Sequence, residues 1–207
     1  MKATDVYSRL QKLAPVVTTS EVATSLSMST ATAVHALERL ASAGLVQNVS
    51  HGVWHIGPGP IDFLTVLPVL SRPYPSYMSV WSALFHHGMI EQVPRALYAV
   101  TLGRTKTIQA AGTAFEIHHI CPALFGGHEG MSGARSGIAT PEKALFDTVY
   151  LLASRSADVS LPELELPDDF DADAVWVWVE LIEGKRLRTI VVRLLRRLVP
   201  WSGCQRS

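Results

Sequence analysis

Metal binding is the first chemistry the side chains raise. His86, His87, His118, His119, His128 and Cys121 are its candidates. Adjacent residues of a strand point to opposite faces, so His118 and His119 do not readily share one ion. Neither a C-x-x-C nor an H-E-x-x-H spacing occurs, so no metal ligand is assigned and these groups read as packing or surface histidines. Anion binding is the second candidate. Residues 126–137 run Gly-Gly-His-Glu-Gly-Met-Ser-Gly-Ala-Arg-Ser-Gly, and glycines let backbone amides converge on a phosphate with Arg135 beside them. The run lacks the Lys-Ser/Thr ending of a P-loop and follows no clear βαβ unit. A mobile connection is therefore favoured, with nucleotide binding as the alternative. Lys143 and Asp147, one helical turn apart, read as a surface ion pair worth roughly 0.2–0.5 kcal/mol. Tyr77 and Trp81 read as core anchors. No catalytic residue is assigned.

Contact with DNA is the chemistry the spacing favours most. Thr18 and Glu21 fit a capping box, and Val22, Ala23 and Leu26 give the short helix after them an apolar side. Ser29 can cap a second helix, in which Val34, Leu37 and Ala41 form one stripe with Leu40 beside it. Thr32, His35, Ala36 and Arg39 form the opposite, outward stripe. Gly44 ends the helix, and residues 45–49 and 53–56 can pair as strands around 50–52. This is the order of a winged helix-turn-helix, whose second helix lies in the major groove. Its candidate DNA contacts are Ser29, Thr30, Thr32, His35 and Arg39, with His51 at the turn of the wing. A small helical packing module is the plainer alternative. Residues 1–60 carry only Lys2, Arg9, Lys12 and Arg39 against Asp5, Glu21 and Glu38. Phosphate neutralisation supplies much of the affinity for DNA, so a homodimer or basic residues elsewhere must help.

These residues need a scaffold, and composition allows one. Apolar residues make up 48% of the chain and charged ones 17%, which excludes global disorder. Formal net charge is zero but unevenly spread. From Asp158 to Glu183 every charged residue is acidic, and from Lys185 to Arg206 every one is basic. Cys121 and Cys204 are too few for a disulfide framework, which fits a reducing compartment. No signal-peptide core opens the chain, and no apolar run reaches transmembrane length. A soluble, cytoplasmic protein with no membrane partner is expected.

The fold expected is α+β: a winged helix-turn-helix over 1–57, a mixed α+β domain over 61–157, and a tail over 158–207. A first helix spans 5–13, and Gly57-Pro58-Gly59-Pro60 marks the boundary. An apolar connector covers 61–70, and a helix covers 79–87. Residues 97–101, 106–110 and 113–120 are β-branched and aromatic and read as an antiparallel meander. Thr140-Pro141-Glu142 starts a helix with Ala144, Leu145, Val149 and Leu152 inward. The tail is an acidic linker followed by an amphipathic basic helix. Residues 174–182 alternate like a strand, yet Asp171 can cap a helix there. Leu187, Ile190, Val191, Leu194, Leu195 and Leu198 fall on one side of the last helix, with Arg193, Arg196 and Arg197 on or beside the other. That helix can contact phosphates, dock on a partner or, least favoured, lie on an anionic membrane.

Several linked motifs resemble one family. Residues 77–84 (Tyr-Met-Ser-Val-Trp-Ser-Ala-Leu), 87–94 (His-Gly-Met-Ile-Glu-Gln-Val-Pro), 118–120 (His-His-Ile) and 138–147 (Ile-Ala-Thr-Pro-Glu-Lys-Ala-Leu-Phe-Asp) resemble the AbiEi antitoxins of bacterial abortive-infection toxin–antitoxin pairs. The resemblance covers roughly residues 1–155, with the family's order of a winged helix followed by an α+β segment. It implies two jobs. One is transcription regulation, as a repressor binding promoter DNA of its own operon. The other is neutralising a cognate nucleotidyltransferase-like toxin. Leu187, Val191 and Leu194, with Arg193, Arg196 and Arg197, are the candidate toxin-binding residues. Two other classes remain open. One is an enzymatic antitoxin, an atypical protein kinase that phosphorylates the toxin with ATP held by the glycine loop. The other is a ligand-sensing winged-helix repressor without a toxin. No cofactor is expected outside the enzymatic case, and no His-Arg-Asp or Asp-Phe-Gly element of a protein kinase occurs.

Overall fold

A computed structural model describes residues 3–155 and 163–199. These residues hold eight α-helices and two sheets. The start of the acidic stretch at Asp158 and the final residues with Cys204 lie outside the described residues.

The N-terminal part consists of α1 (Ala3–Leu10), β1 (Val16–Thr18), α2 (Thr19–Ser25), α3 (Thr30–Ser42), β2 (Val46–Ser50) and β3 (Val53–Ile56). The capping box forms as its residue types require. The Glu21 amide donates to the Thr18 hydroxyl at 3.2 Å, and the Thr18 amide donates to the Glu21 carboxylate at 2.7 Å. Ser29 caps α3 by accepting from the Thr32 amide at 3.2 Å. Gly44 follows α3 with φ 70°, a left-handed turn that costs glycine little. The strands make an antiparallel sheet in the order β1-β3-β2, with β1 added to the expected hairpin. Leu10, Val22, Leu37, Leu40 and Trp54 fill the space between helices and sheet. Three positions of α3 differ from expectation. Ala36 is buried rather than outward, and Val34 and Ala41 are only half-buried. Both α1 and α2 pack on α3, and the close approach draws in its small residues Ala33 and Ala36.

Beyond the Gly-Pro-Gly-Pro break, the expected connector is a helix, α4 (Phe63–Ser71), with Pro68 inside it. Asp62 starts it by accepting from the Leu64 amide at 2.9 Å. An interior proline costs about 3 kcal/mol, whereas burying each of Leu64, Val66, Leu67 and Leu70 contributes roughly 1.5–3 kcal/mol, so burial decides. Then come β4 (Ser76–Met78), α5 (Val80–His86), β5 (Ala96–Thr101), β6 (Lys106–Ala110), β7 (Thr113–His119), β8 (His128–Glu129), β9 (Ile138–Ala139), α6 (Pro141–Arg155), α7 (Ala172–Glu180) and α8 (Lys185–Leu195).

The second sheet has the strand order β6-β7-β5-β4-β9-β8. An antiparallel meander was expected from its three long strands, and the pairing differs. β6 and β7 form a hairpin across Ala111-Gly112, but β7 pairs with β5 in parallel. Burial explains the order. β5 is buried at nearly every position, as a central strand flanked on both sides must be, while β6 alternates and sits at the edge. The sheet is covered on both faces. Leu97, Ala99, Phe115 and Ile117 face α4, and Val100 and Ile120 join the core built by α5, α6, α7 and α8. Asp171 accepts from the Asp173 and Ala174 amides at 2.9 and 3.2 Å, which makes α7 a helix despite its alternating sequence.

The two parts share an apolar cluster. Val16, Val49 and Val53 of the first sheet lie in the same core as Val66, Leu67, Leu97 and Phe115. The Ala111 amide donates to the Val49 carbonyl at 2.7 Å, and Arg72 pairs with Glu21 at 2.6 Å.

His118 of β7 is buried and accepts from the Arg155 guanidinium through Nδ1 at 3.0 Å. Burial first, and then the Arg155 charge, hold it down at about 4, below the ordinary histidine value near 6.5. The unfolded chain therefore binds a proton across that window and the folded chain does not, so stability falls as pH drops from about 6.5 toward 4. We expect His118→Gln to flatten this loss, read as urea midpoints at pH 7 and pH 4.5. Equal losses in both proteins would contradict the assignment.

Candidate functional site

The residues expected to touch DNA gather on one surface. Ser29, Thr30, Thr32, His35 and Arg39 are all exposed on α3 and its cap, and His51 is exposed at the β2–β3 turn. The Ser29 and Thr32 hydroxyls bond to one another at 2.8 Å, and His35 Nδ1 lies 3.4 Å from Glu38. Between α3, the start of α2 and the turn runs a cleft of about 670 Å³, lined by Thr30, Val34, Glu38, Asn48 and His51 among others. Its geometry is fixed from below. Trp54 Nε1 donates to the Thr19 hydroxyl at 3.0 Å, and the Thr19 amide donates to the Gly52 carbonyl at 2.8 Å. The turn is thus tied to the first residue of α2. Glu38, exposed on the same surface, adds a negative charge that opposes the approach of an anion.

The Lys143–Asp147 pair, expected on a solvated helix face, is instead fully buried. Lys143 donates to one carboxylate oxygen of Asp147. The Ser79 and Tyr77 hydroxyls donate to the other, at 2.7 and 3.1 Å. The ammonium group sits 4.6 Å from the centre of the Trp178 ring and 5.0 Å from that of Phe146. Burial pushes Lys143 down and Asp147 up, and their attraction opposes both shifts. Burial, then the Asp147 charge, holds the Tyr77 phenol protonated well above its ordinary range. The sequence carried a signal for this. Ala144, Leu145, Phe146 and Val149 surround the pair on every side of the helix, and residues 143–149 are buried without interruption. With neither side chain exposed, the box positions elements rather than meeting a substrate.

The glycine loop serves that box. A Cβ on Gly127 would come within 2.8 Å of the Trp178 ring and 3.0 Å of Lys143. Arg135 at its far end donates to Asp62 at 2.9 Å, joining the loop to the start of α4. The Ser132 and Arg135 amides donate to each other's carbonyls at 3.3 and 2.9 Å, and the Ser136 amide donates to the Leu64 carbonyl at 2.8 Å. Among the described residues, no three His, Cys, Asp or Glu side chains come together as a metal site. His118 and His119 do point apart, one buried and one exposed. His87 instead bonds the Ala139 carbonyl at 2.7 Å.

The last helix also differs from expectation. Val191 and Leu194 are buried and Leu187 half-buried, because the apolar side of α8 packs on α6. That side is filled by the chain's own core and is not a free docking face. Arg193, Arg196 and Arg197 are exposed. Sequence reasoning missed a further group at the sheet end: Arg72, Arg104, Lys106 and His119 converge on one cleft. Arg104 and Lys106 are near neighbours in sequence, but Arg72 and His119 are distant, and α4 and the parallel β5–β7 pairing bring them to the same place.

No family model matches the chain. No curated protein matches it either.

Removing one member of a buried pair strands the other, at a cost of roughly 3–5 kcal/mol, while apolar replacement of both is far milder. We expect Lys143→Met to lose about that much, and Lys143→Met with Asp147→Leu to recover part of it in a urea double-mutant cycle. Additive losses would contradict direct coupling.

Proposed function

We propose that the chain is a winged-helix repressor that binds the promoter of its own operon and acts as an antitoxin in the bacterial cytoplasm. The exposed Thr32, His35 and Arg39 stripe on α3, beside the exposed turn at His51, carries the DNA half of this reading. In this reading α3 enters the major groove, and the β2–β3 hairpin is the wing that lies along the flanking backbone. Ser29 and Thr30 are placed to meet phosphate at the helix start, where backbone amides favour anions. Arg39 reads a base edge. The small positive charge of this part favours binding as a homodimer, which doubles the phosphate contacts.

The resemblance to AbiEi antitoxins supports the other half, neutralisation of a nucleotidyltransferase-like toxin by binding it. Because the apolar side of α8 is internal, contact falls to its outer face, with Arg193, Arg196 and Arg197 setting encounter with acidic groups.

The test is a gel-shift titration against the DNA upstream of the gene. Arg39→Ala should weaken binding by about 1–3 kcal/mol, or roughly 5- to 150-fold. Unchanged affinity in the Arg39→Ala, His35→Ala double variant would remove the recognition role of α3. Co-expression with the neighbouring toxin gene checks the second half: growth should be rescued by the full chain, and charge reversal at Arg197 should weaken that rescue. Absence of a toxin gene beside this one would leave the repressor alone.

A further inference from the structure

A cleft of about 570 Å³ opens at the end of the second sheet, lined by the turn after α4, the end of β5, and the loop into β6. Four of its lining groups are Arg72, Arg104, Lys106 and His119; among the described residues no carboxylate is in its lining, and of these four Glu21 reaches only Arg72, at 2.6 Å. Lys106 uses one of its three donors on the Leu70 carbonyl, at 2.7 Å. His119 Nδ1 lies 2.9 Å from the Gly103 carbonyl. A carbonyl only accepts, so Nδ1 carries a proton, and Nε2 of the neutral ring is an acceptor for a ligand hydroxyl; the phosphate donors are Arg72, Arg104 and Lys106. The Gly103 backbone runs directly beneath the Tyr74 ring, with room for no side chain: a Cβ there would lie 2.7 Å from the ring. Tyr74 lines the cleft and is half-exposed.

We propose that this cleft binds a nucleoside phosphate. Like charges are gathered at a cost unless an anion joins them, and a recessed site with several cationic donors suits a phosphate that is at least doubly charged. Tyr74 offers a flat surface on which a base stacks. Arg72 gives the site a connection to the rest of the chain. Its guanidinium pairs with Glu21, the carboxylate that closes the cap of α2, so a phosphate entering the cleft competes for it. Occupancy is therefore felt at the start of the α2–α3 unit. This binding reading rests on residues other than the α3 stripe and stands or falls apart from DNA recognition.

Isothermal titration of the full chain with ADP, pyrophosphate and adenosine tests it. ADP should bind with one site per chain, and adenosine at least tenfold more weakly. Arg104→Ala should weaken both ADP and pyrophosphate at least tenfold, and Arg104→Lys should restore part of the loss. Tyr74→Ala should weaken ADP at least fivefold and leave pyrophosphate unchanged, while Tyr74→Phe keeps the affinity. Both positions are exposed, and unchanged melting temperatures exclude misfolding as the cause. Failure of ADP and pyrophosphate to bind at millimolar concentration overturns the proposal, as does binding that ignores Arg104. ADP affinity that is indifferent to Tyr74 overturns the nucleoside part. Loss of duplex binding in Arg104→Ala without any ADP binding overturns it too, and assigns the cleft to DNA.

Discussion

The ion pair between Lys143 and Asp147 is the constraint around which the larger part of the chain is arranged. A charge removed from water is tolerated only when paired and hydrogen-bonded, and each of its neighbours meets that demand. Tyr77 and Ser79 lie on either side of Met78 at the end of β4, and their hydroxyls satisfy the second carboxylate oxygen. Trp178 closes the ammonium from above, which requires α7 to lie on α6 and Gly127 to carry no side chain. One polar contact therefore ties together a strand, two helices and a loop. Gly127 and Trp178 of α7 close that box, and α8 packs on α6 and α7 beyond it.

The second organising contact joins the two parts of the chain. Glu21 does two things at once: it caps α2 with Thr18 and pairs with Arg72. Burial raises its carboxyl, but the Thr18 bonds and Arg72 outweigh that and hold it below the ordinary range. A surface pair of this kind contributes little on its own. Its importance is positional, because the shared cluster of Val16, Val49, Val53, Leu67 and Phe115 already holds the parts together. Together these contacts set how the α3 surface is presented relative to the second sheet.

Much of this was legible in the sequence where local chemistry decides. The Thr18–Glu21 box, the Ser29 cap, the Gly44 stop and the Asp171 cap depend on residues within one turn of each other, and each forms. Tertiary packing took over elsewhere. Pro68 concealed α4 because the loss of one backbone bond is visible locally and the gain from four buried side chains is not. The parallel β5–β7 pairing depends on β5 being central, which its unbroken apolar run implied but hairpin spacing obscured. The outward stripe of α3 was read correctly at Thr32, His35 and Arg39 and wrongly at Ala36, whose small side chain fits equally well inside. Lys143 and Asp147 looked like a solvated pair by spacing alone. The apolar residues on every side of them were the better guide.

We propose that α3 and the neighbouring turn are the surface that meets DNA. Site-specific photo-crosslinking tests it directly, with the probe placed in turn at positions 35, 51 and 197 and the upstream duplex labelled. Positions 35 and 51 should crosslink to the duplex, 35 to bases and 51 to the flanking backbone, while 197 should not. Retardation of the duplex with no crosslink from 35, or with crosslinks from 197 alone, would contradict the account.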